Sequence, residues 1–403
     1  MPTLRDALES AIAADFDDRA AHSAYADFLV EQGDPRGELI QVQLALEDDS
    51  RPAAERQRLQ KREKQLLKEH EREWLAELAP FLLDDDWRSG LWDEESSKGA
   101  ANWQIERGWL AGIDAPVITP HFAQALQAAP IARCLRRLEL GRATSPALES
   151  ADLADREVLE VLGEAPFLPC LRVLRFGDPG RDEINPENLE YGEVYEPVSV
   201  RGDGLVALLA ETTRLEVLRL FCLFEEEELF DDLPNLPRLR VFQVHHAPNY
   251  DIAALTKHKA YANLEELSLM PHAVCHHESF LPRADVIRFL RSRNARKLRL
   301  LRLRLSEMGD PGVKAIIDTG LIDQLETLDL RHGEVTDKGA LALAKGIPGG
   351  PLQRLDLQRN RLTPTGIAAL EALNLPSLRT DFQQQPDEHG NYTDQYLYDG
   401  DWE

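Results

Sequence analysis

Hydrophobic residues recur with one period towards the end of the chain. Three segments share the pattern LxxLxL, in which leucine occupies the first, fourth and sixth positions, and their starts at Leu298, Leu325 and Leu352 are 27 residues apart. Alternation of apolar with polar positions is typical of a strand that buries one face. Each segment therefore predicts a short strand.

Each predicted strand is followed at fixed offsets by another apolar residue and then by a glycine. These residues are Met308, Val335 and Leu362, and Gly312, Gly339 and Gly366. Beyond each glycine, apolar residues stand three positions apart, which is helical spacing. One strand and one helix cannot bury their leucines alone, so we expect the units to stack, each strand paired in parallel with the next.

Five weaker copies of the pattern precede these three. They start at Leu135, Leu171, Leu215, Leu239 and Leu264. Their spacing is irregular, which indicates insertions in the connecting loops, and the largest insertion lies between Phe176 and Gly204 and carries Tyr191 and Tyr195. The segment from Leu375 (LPSLRTDF) is a degenerate last copy, as a terminal repeat needs when its outer face meets water.

These units resemble the leucine-rich repeat family. The best match is 352–366 (LQRLDLQRNRLTPTG), with Asn360 at the family's ladder position, whereas the two preceding copies carry Ser306 and Gly333 there. The resemblance implies an α/β fold over 109–382: a solenoid with parallel strands on its concave face and helices on its convex face. The asparagine ladder is interrupted.

A different domain precedes the repeats. Residues 3–47 have apolar positions at helical spacing, which predicts two or three short helices. The motifs YADFL (25–29) and EQGDPRGELI (31–40) resemble the bacterial repeat-companion domain, a short module found beside repeat arrays. That resemblance covers about a tenth of the chain and implies no catalytic role.

Single residues of this N-terminal segment also have expected roles. We interpret Gly33 and Gly37 as turn residues, Asp34 as a helix cap and Tyr25 as partly core.

A connector links the two regions. Residues 53–79 predict a long, solvated helix with mixed charges, and five of the six tryptophans follow between 74 and 109, which suggests a local aromatic core. The segment 105–113 (IERGWLAGI) would be a first strand-like unit that seals the array. The predicted domains are a helical domain at 1–50, a connector helix and Trp-rich capping segment at 51–108, the solenoid at 109–382, and an acidic aromatic tail at 383–403.

The charge and composition of the chain limit the kinds of partner that we expect it to bind. The chain has 46 Lys and Arg against 71 Asp and Glu, a net charge of −25, which disfavours nucleic acid because binding draws on clustered cations. No apolar run approaches the ~18 residues of a membrane helix, and the acidic start is unlike a secretion signal. We expect a cytoplasmic protein without a nucleic-acid or membrane partner.

The four cysteines contain no CxxC motif. Cys134 and Cys170 each stand directly before the first leucine of adjacent repeats, so stacking would make them neighbours. A disulfide is geometrically allowed, but a reducing cytoplasm favours paired thiols.

The sequence carries no phosphate-binding loop, GxSxG elbow or HExxH motif. We therefore predict a non-enzymatic protein without a cofactor. The alternative is a metal-dependent or enzymatic site within 245–277, where histidines and a cysteine gather: His245, His246, His272, Cys275 and His276. Their irregular spacing favours exposed loop histidines.

The third, fifth and seventh residues of each repeat face away from the leucines. Over eight repeats these positions carry seven arginines against four acids. The arginines are Arg137, Arg175, Arg219, Arg302, Arg304, Arg331 and Arg354. Phe221, His245 and Met270 form a less charged lane beside them, and Phe221 is the predicted exposed anchor.

From this lining we predict a protein-protein interaction scaffold. Its concave face, helped by Tyr191 and Tyr195, would bind an acidic or amphipathic protein partner. The competing interpretation is a solvated strand surface whose arginines pair with adjacent acids. The acidic tail is expected to cap the last repeat, with a solvated end or occupation of the groove as alternatives.

Overall fold

The computed structural model describes residues 3–84, 101–143, 151–177, 198–200, 202–224, 229–245, 251–271, 281–347 and 349–386. The chain forms two compact units, 1–175 with 207–214, and 176–206 with 215–403. None of the helices within the described ranges is both long enough and apolar enough to cross a membrane.

The described helices are short apart from the fourth. They are α1 (Leu4–Ala14), α2 (Arg19–Glu31), α3 (Arg36–Leu46), α4 (Ala53–Leu75), α5 (Ala79–Leu83), α6 (Pro120–Ala128), α7 (Ala151–Gly163), α8 (Gly202–Ala210), α9 (Leu229–Asp232), α10 (Ile252–Lys257), α11 (Arg283–Leu290), α12 (Gly309–Asp318), α13 (Asp337–Gly346) and α14 (Pro364–Glu371).

The described strands follow the predicted repeat frame. They are β1 (Asn102–Glu106), β2 (Trp109–Ile118), β3 (Arg137–Ala143), β4 (Val173–Gly177), β5 (Val198–Val200), β6 (Val217–Phe224), β7 (Val241–His245), β8 (Glu266–Met270), β9 (Leu300–Leu303), β10 (Thr327–Asp329), β11 (Arg354–Asp356) and β12 (Ser377–Arg379). In the first unit, β1 pairs with β2 antiparallel and β2 with β3 in parallel. In the second, β6 to β12 run side by side in chain order, with β5 on β6.

The N-terminal helices begin and turn where the sequence supplies caps. Thr3 and Asp6 form a capping box at α1, whereas the N-cap residue of α3 is Pro35 and not Asp34, whose carboxylate accepts a hydrogen bond from the Arg36 amide. Gly33 has a φ of 74° and is a turn residue, as predicted. Tyr25 is fully buried rather than partly core.

Gly37 is not a turn residue, because it lies inside α3. A Cβ atom at Gly37 would stand 2.6 Å from the carbonyl oxygen of Ala26 in α2. The glycine therefore permits a close approach of two helices, which local sequence does not reveal.

The segment 105–113 is an antiparallel hairpin rather than a single strand-like unit. Its two-residue turn, Arg107 and Gly108, has φ values of 48° and 74°, as a tight hairpin requires. Helix α3 holds this turn: Arg36 Nε donates to the Gly108 carbonyl at 2.8 Å, and Gln43 Oε1 accepts from the Gly108 amide at 2.8 Å. The N-terminal helices and the start of the sheet are thus one packed structure.

The predicted aromatic core is centred on Trp109. Its ring is fully buried and stacks on Tyr25, with centroids 5.5 Å apart. The guanidinium of Arg36 lies 4.2 Å from the Trp109 ring. Trp74 and Trp103 are only half-buried, and Trp87 and Trp92 lie outside the described residues.

The first leucine of all eight predicted repeats is buried, and a strand follows each one. The degenerate copy from Leu375 supplies β12. Asn360 is also buried; its Oδ1 accepts from the amides of Gly333 and Val335, and its Nδ2 donates to the Leu330 carbonyl at 2.8 Å. This single asparagine therefore bonds the turn of the repeat before its own.

A carboxylate links consecutive helices in the last repeats. Asp310, at the start of α12, accepts from the Thr336 amide at 2.9 Å, the Thr336 hydroxyl at 2.7 Å and the Gly339 amide at 3.0 Å. Asp337 binds Thr363 in the same way one repeat later. This contact explains two of the repeating glycines, since a Cβ at Gly339 would lie 2.6 Å from Asp310 Oδ1 and a Cβ at Gly366 would meet Asp337 Oδ1, whereas at Gly312 it would meet the Met308 side chain at 2.6 Å.

We predict that Gly339→Ala lowers the free energy of unfolding by about 2 kcal/mol, because the added methyl group displaces a carboxylate held by three hydrogen bonds. Urea unfolding followed by circular dichroism measures the loss. Gly163→Ala is the matched control, since nothing lies within 4 Å of a Cβ there. Equal effects of the two substitutions would contradict the explanation.

Candidate functional site

The side chains that point away from the leucines on β6 to β12 form the outer strand face. The strand register aligns them in columns. The fifth-position column is Arg219, Gln243, Ser268, Arg302, Asp329, Asp356 and Arg379. The seventh-position column is Phe221, His245, Met270, Arg304, Arg331, Gln358 and Asp381.

The seventh-position column begins with three buried residues. Phe221 is only 2% exposed, so the prediction of an exposed aromatic anchor is wrong. Its ring meets that of His245 edge to face at a centroid distance of 4.8 Å, and Met270 follows in register. These three side chains pack on their neighbours along the column and offer little surface to a partner.

Arg304 and Arg331 are also buried, because both bind Asp329. The Arg304 guanidinium is 3.0 Å from Asp329 Oδ2, and the two side chains are 4% and 1% exposed. Arg331 Nη2 lies 3.2 Å from the same oxygen. The competing interpretation, arginines paired with adjacent acids, therefore describes this pair.

The surroundings of the two aspartates in the fifth-position column shift their pKa values in opposite directions. Burial raises the pKa of Asp329, but Arg304 and Arg331 outweigh it and hold the pKa well below its usual range. Burial, and then the Asp329 charge, raise the pKa of Asp356 above its ordinary value. Asp356 Oδ1 accepts from the Gln358 amide, whereas its Oδ2 has no hydrogen-bond partner among the described residues.

His332 adds no charge to this cluster. Burial, followed by the charges of Arg359 and Arg331, lowers its pKa to about 3. The imidazole is therefore neutral at physiological pH.

Four arginines of the fifth- and third-position columns remain partly accessible: Arg219, Arg302, Arg354 and Arg379. Arg219 makes no ion pair within the described part of the chain. Arg354 is 35% exposed, and its Nη2 is 4.0 Å from Asp356 Oδ2. Arg379 was not among the sequence candidates, although it stands at the fifth position of the degenerate last copy and could have been found by extending the frame.

The third-position column has a different character. From β6 to β12 it reads Val217, Val241, Glu266, Leu300, Thr327, Arg354 and Ser377, and all seven are half-buried. An apolar stripe of Val217, Val241 and Leu300, interrupted by Glu266, thus runs beside the arginines of the fifth-position column. The sequence analysis counted the charges of this face and did not single out the stripe.

The two candidates of the first unit differ in accessibility. Arg175 binds two carboxylates, with Nη2 2.6 Å from Asp114 Oδ1 and Nη1 3.3 Å from Glu139 Oε2. Arg137 is 44% exposed, and its Nε is 4.0 Å from Glu139 Oε1. Arg137 alone of this pair is open to solvent.

Several candidates lie outside the described residues: Tyr191, Tyr195, His246, His272, Cys275, His276 and the tail from 387. Among the residues that the structure describes, no three His, Cys, Asp or Glu side chains are arranged to hold a metal ion. The buried His245 has its Nε2 3.0 Å from Gln243 Nε2. Apart from His245, the residues of the alternative metal site therefore lie outside the described part of the chain.

A Leucine Rich repeat family model matches residues 294–316, 325–344 and 351–370. The chain therefore contains leucine-rich repeats, and the three strongest predicted copies are confirmed. No curated protein matches the chain. A solved protein from Bacteroides fragilis is 13% identical over 66% of this chain and 71% of its own, with a TM-score of 0.34, and this likeness carries no argument.

We predict that Asp329→Asn destabilises the fold by about 3 kcal/mol, because it removes the carboxylate that pairs with two buried guanidiniums and leaves Arg331 only the Asp356 carboxylate at 3.5 Å. The sign of the pH dependence follows from the lowered pKa: the stability from Asp329 is present above its unfolded pKa and is lost as the pH falls through the folded pKa. Urea unfolding at several pH values measures both effects.

Asp356→Asn is the matched control for that experiment. Because the raised pKa of Asp356 means that its ionised form is already disfavoured in the fold, its replacement should cost much less at neutral pH. A loss equal to that of Asp329→Asn would contradict the assigned roles.

Proposed function

We propose that this chain is a non-enzymatic protein-protein interaction scaffold whose outer strand face binds an acidic, amphipathic segment of a partner protein. The supporting observation is the pair of adjacent columns on that face. Arg219 and Arg302 are half-exposed in the fifth-position column, and the third-position column beside it carries Val217, Val241 and Leu300, interrupted by Glu266, and then the half-exposed Arg354. An extended segment that alternates acidic and apolar side chains matches both columns.

The charge arrangement supports an acidic rather than a basic partner. Asp329 is already committed to Arg304 and Arg331, so the accessible groups of the fifth-position column are mainly cationic. On a chain with a net charge of −25, such a local reversal would steer an anionic segment to this face. The arginines would set selectivity and encounter rate, and the apolar stripe would supply affinity.

The rigidity of the face also supports binding. Each strand from β6 to β12 is hydrogen-bonded to its neighbours in register, so a partner would lose little free energy in ordering the surface. Parallel sheets of leucine-rich repeats are suited to this use because adjacent side chains are displayed at fixed spacing.

We further propose that the N-terminal helices are a repeat-companion module acting in the cytoplasm beside the repeats. Arg36 lies within the EQGDPRGELI motif and, with Gln43, binds the backbone of the β1–β2 turn. The motif would then serve to seat the module on the first hairpin. The tail from 387 would cap the last repeat.

The binding proposal is tested with a fluorescein-labelled peptide that alternates Glu with Leu. The triple variant Arg219→Glu, Arg302→Glu and Arg354→Glu should weaken binding at least about tenfold, which corresponds to 1.4 kcal/mol. Fluorescence anisotropy at two salt concentrations measures the affinity, and wild-type binding should weaken as salt rises. Arg331 is excluded from the variant because its replacement by Glu would bury a third carboxylate beside two others.

The matched control is Arg238→Glu, Arg291→Glu and Arg293→Glu. These arginines are exposed and stand outside the three columns, so the change in net charge is identical. Equal weakening by both triple variants would show that overall charge, and not the outer strand face, controls binding. Unchanged affinity in the first variant would overturn the proposal.

A further inference from the structure

Cys134 and Cys170 hold equivalent places in consecutive repeats of the first unit. Each stands directly before the first leucine of its repeat. The backbone register preserves the equivalence, because the Arg136 carbonyl accepts from the amides of Arg172 at 2.8 Å and Val173 at 2.9 Å. The two cysteines therefore lie on neighbouring, aligned segments.

This placement suits a covalent bond between the sulfur atoms. Aligned neighbouring strands are about 4.8 Å apart, and a disulfide needs Cα atoms roughly 4.4–6.8 Å apart. Both thiols are free and buried, with Cys134 inaccessible and Cys170 7% exposed. The two thiols are close enough for each to shift the pKa of the other.

The surroundings of the two sulfur atoms differ. Arg214, Arg133 and Arg172 all act electrostatically on Cys170. Its Sγ is also 3.5 Å from the Ala13 carbonyl oxygen at the end of α1, to which the protonated thiol donates. Arg214 Nη1 donates to the same carbonyl at 3.0 Å. Cys134 instead belongs to the apolar cluster that includes Tyr25 and Trp109.

These surroundings give the thiols different reactivity. The neighbouring Cys134 thiol, aided by the three arginines and opposed by burial, lowers the pKa of Cys170 to about 7. The neighbouring Cys170, together with burial, raises the pKa of Cys134. Because the thiolate is the nucleophile, Cys170 is the attacking thiol and Cys134 the resolving one.

We propose that Cys134 and Cys170 form a redox-active dithiol that hydrogen peroxide oxidises to a reversible disulfide. A small oxidant suits the limited exposure of Cys170. Binding on the outer strand face does not require this chemistry, so a result that contradicts one proposal leaves the other unaffected.

The reaction balances in two steps. The Cys170 thiolate attacks one peroxide oxygen, the O–O bond breaks, and the leaving hydroxide takes up a proton to become water, which leaves a sulfenic acid. The Cys134 sulfur then attacks this sulfenic sulfur, the S–O bond breaks, and the hydroxyl departs with the Cys134 proton as a second water. Two thiols lose two electrons, and the peroxide gains them. Dithiothreitol reverses the bond by exchange.

The test uses the full chain with Cys222→Ser and Cys275→Ser, so that only the two proposed thiols react. Folded protein is treated with hydrogen peroxide, alkylated, digested with trypsin and analysed by mass spectrometry without reduction. Peptides 134–136 and 157–172 should be recovered joined, with two hydrogens lost, and should separate after dithiothreitol. If the folded chain keeps both thiols free under treatment that oxidises the urea-unfolded chain, the proposal is overturned.

The roles of the two thiols are tested by trapping the sulfenic acid with dimedone. In Cys134→Ser, Cys170 should be labelled about tenfold more than Cys134 is in Cys170→Ser, because Arg214, Arg133 and Arg172 still favour the Cys170 thiolate, whereas Cys134 lies in the apolar cluster. Equal labelling would overturn the assignment of Cys170 as the attacking thiol. The linked-peptide experiment leaves both cysteines in place and does not depend on the folding of these serine variants.

Discussion

Parallel, in-register pairing of successive strands is the constraint on which the rest of the structure depends. In pair after pair, the carbonyl of the residue after the first leucine accepts hydrogen bonds from two successive amides of the next repeat, as Arg299 does from Glu326 and Thr327. This register places leucine over leucine on one face and builds the columns of the outer strand face on the other. It also brings Cys134 and Cys170 together. A shift of one residue would exchange the two faces of a strand.

The frame of the repeats could be predicted from the sequence because it rests on a local rule, the spacing of leucines. The solvent accessibility of side chains on the outer strand face could not be predicted in this way. Phe221 and Arg304 occupy positions that point away from the leucines, yet both are buried by side chains on neighbouring strands. Gly37 is a second case in which a contact between distant residues decides. The sequence DPRG is typical of a turn, but position 37 requires glycine because a Cβ there would meet the Ala26 carbonyl oxygen on another helix.

The arginines of the outer strand face serve two purposes that sequence alone does not separate. Arg304 and Arg331 neutralise a buried aspartate, and their removal would expose the desolvation cost of that charge. Arg219 and Arg354 lack such close pairing and remain half-exposed. Distance to the nearest carboxylate, and not position in the repeat, therefore divides the structural arginines from those available to a partner.

The hydrogen bonds of the Asp310 carboxylate run in one direction, from an acceptor in one repeat to donors in the next. It belongs to one helix but accepts hydrogen bonds from residues at the start of the next helix. Asp337 accepts the equivalent bonds from Thr363 one repeat later. A unit removed from the carboxyl-terminal end takes its own donors with it and leaves the carboxylate bonds at the earlier helix starts in place. A unit that opens further upstream deprives its successor of a carboxylate acceptor, whereas loss of the last full repeat deprives the turn before it of Asn360, so opening at either end reaches the neighbouring repeat through a different side chain.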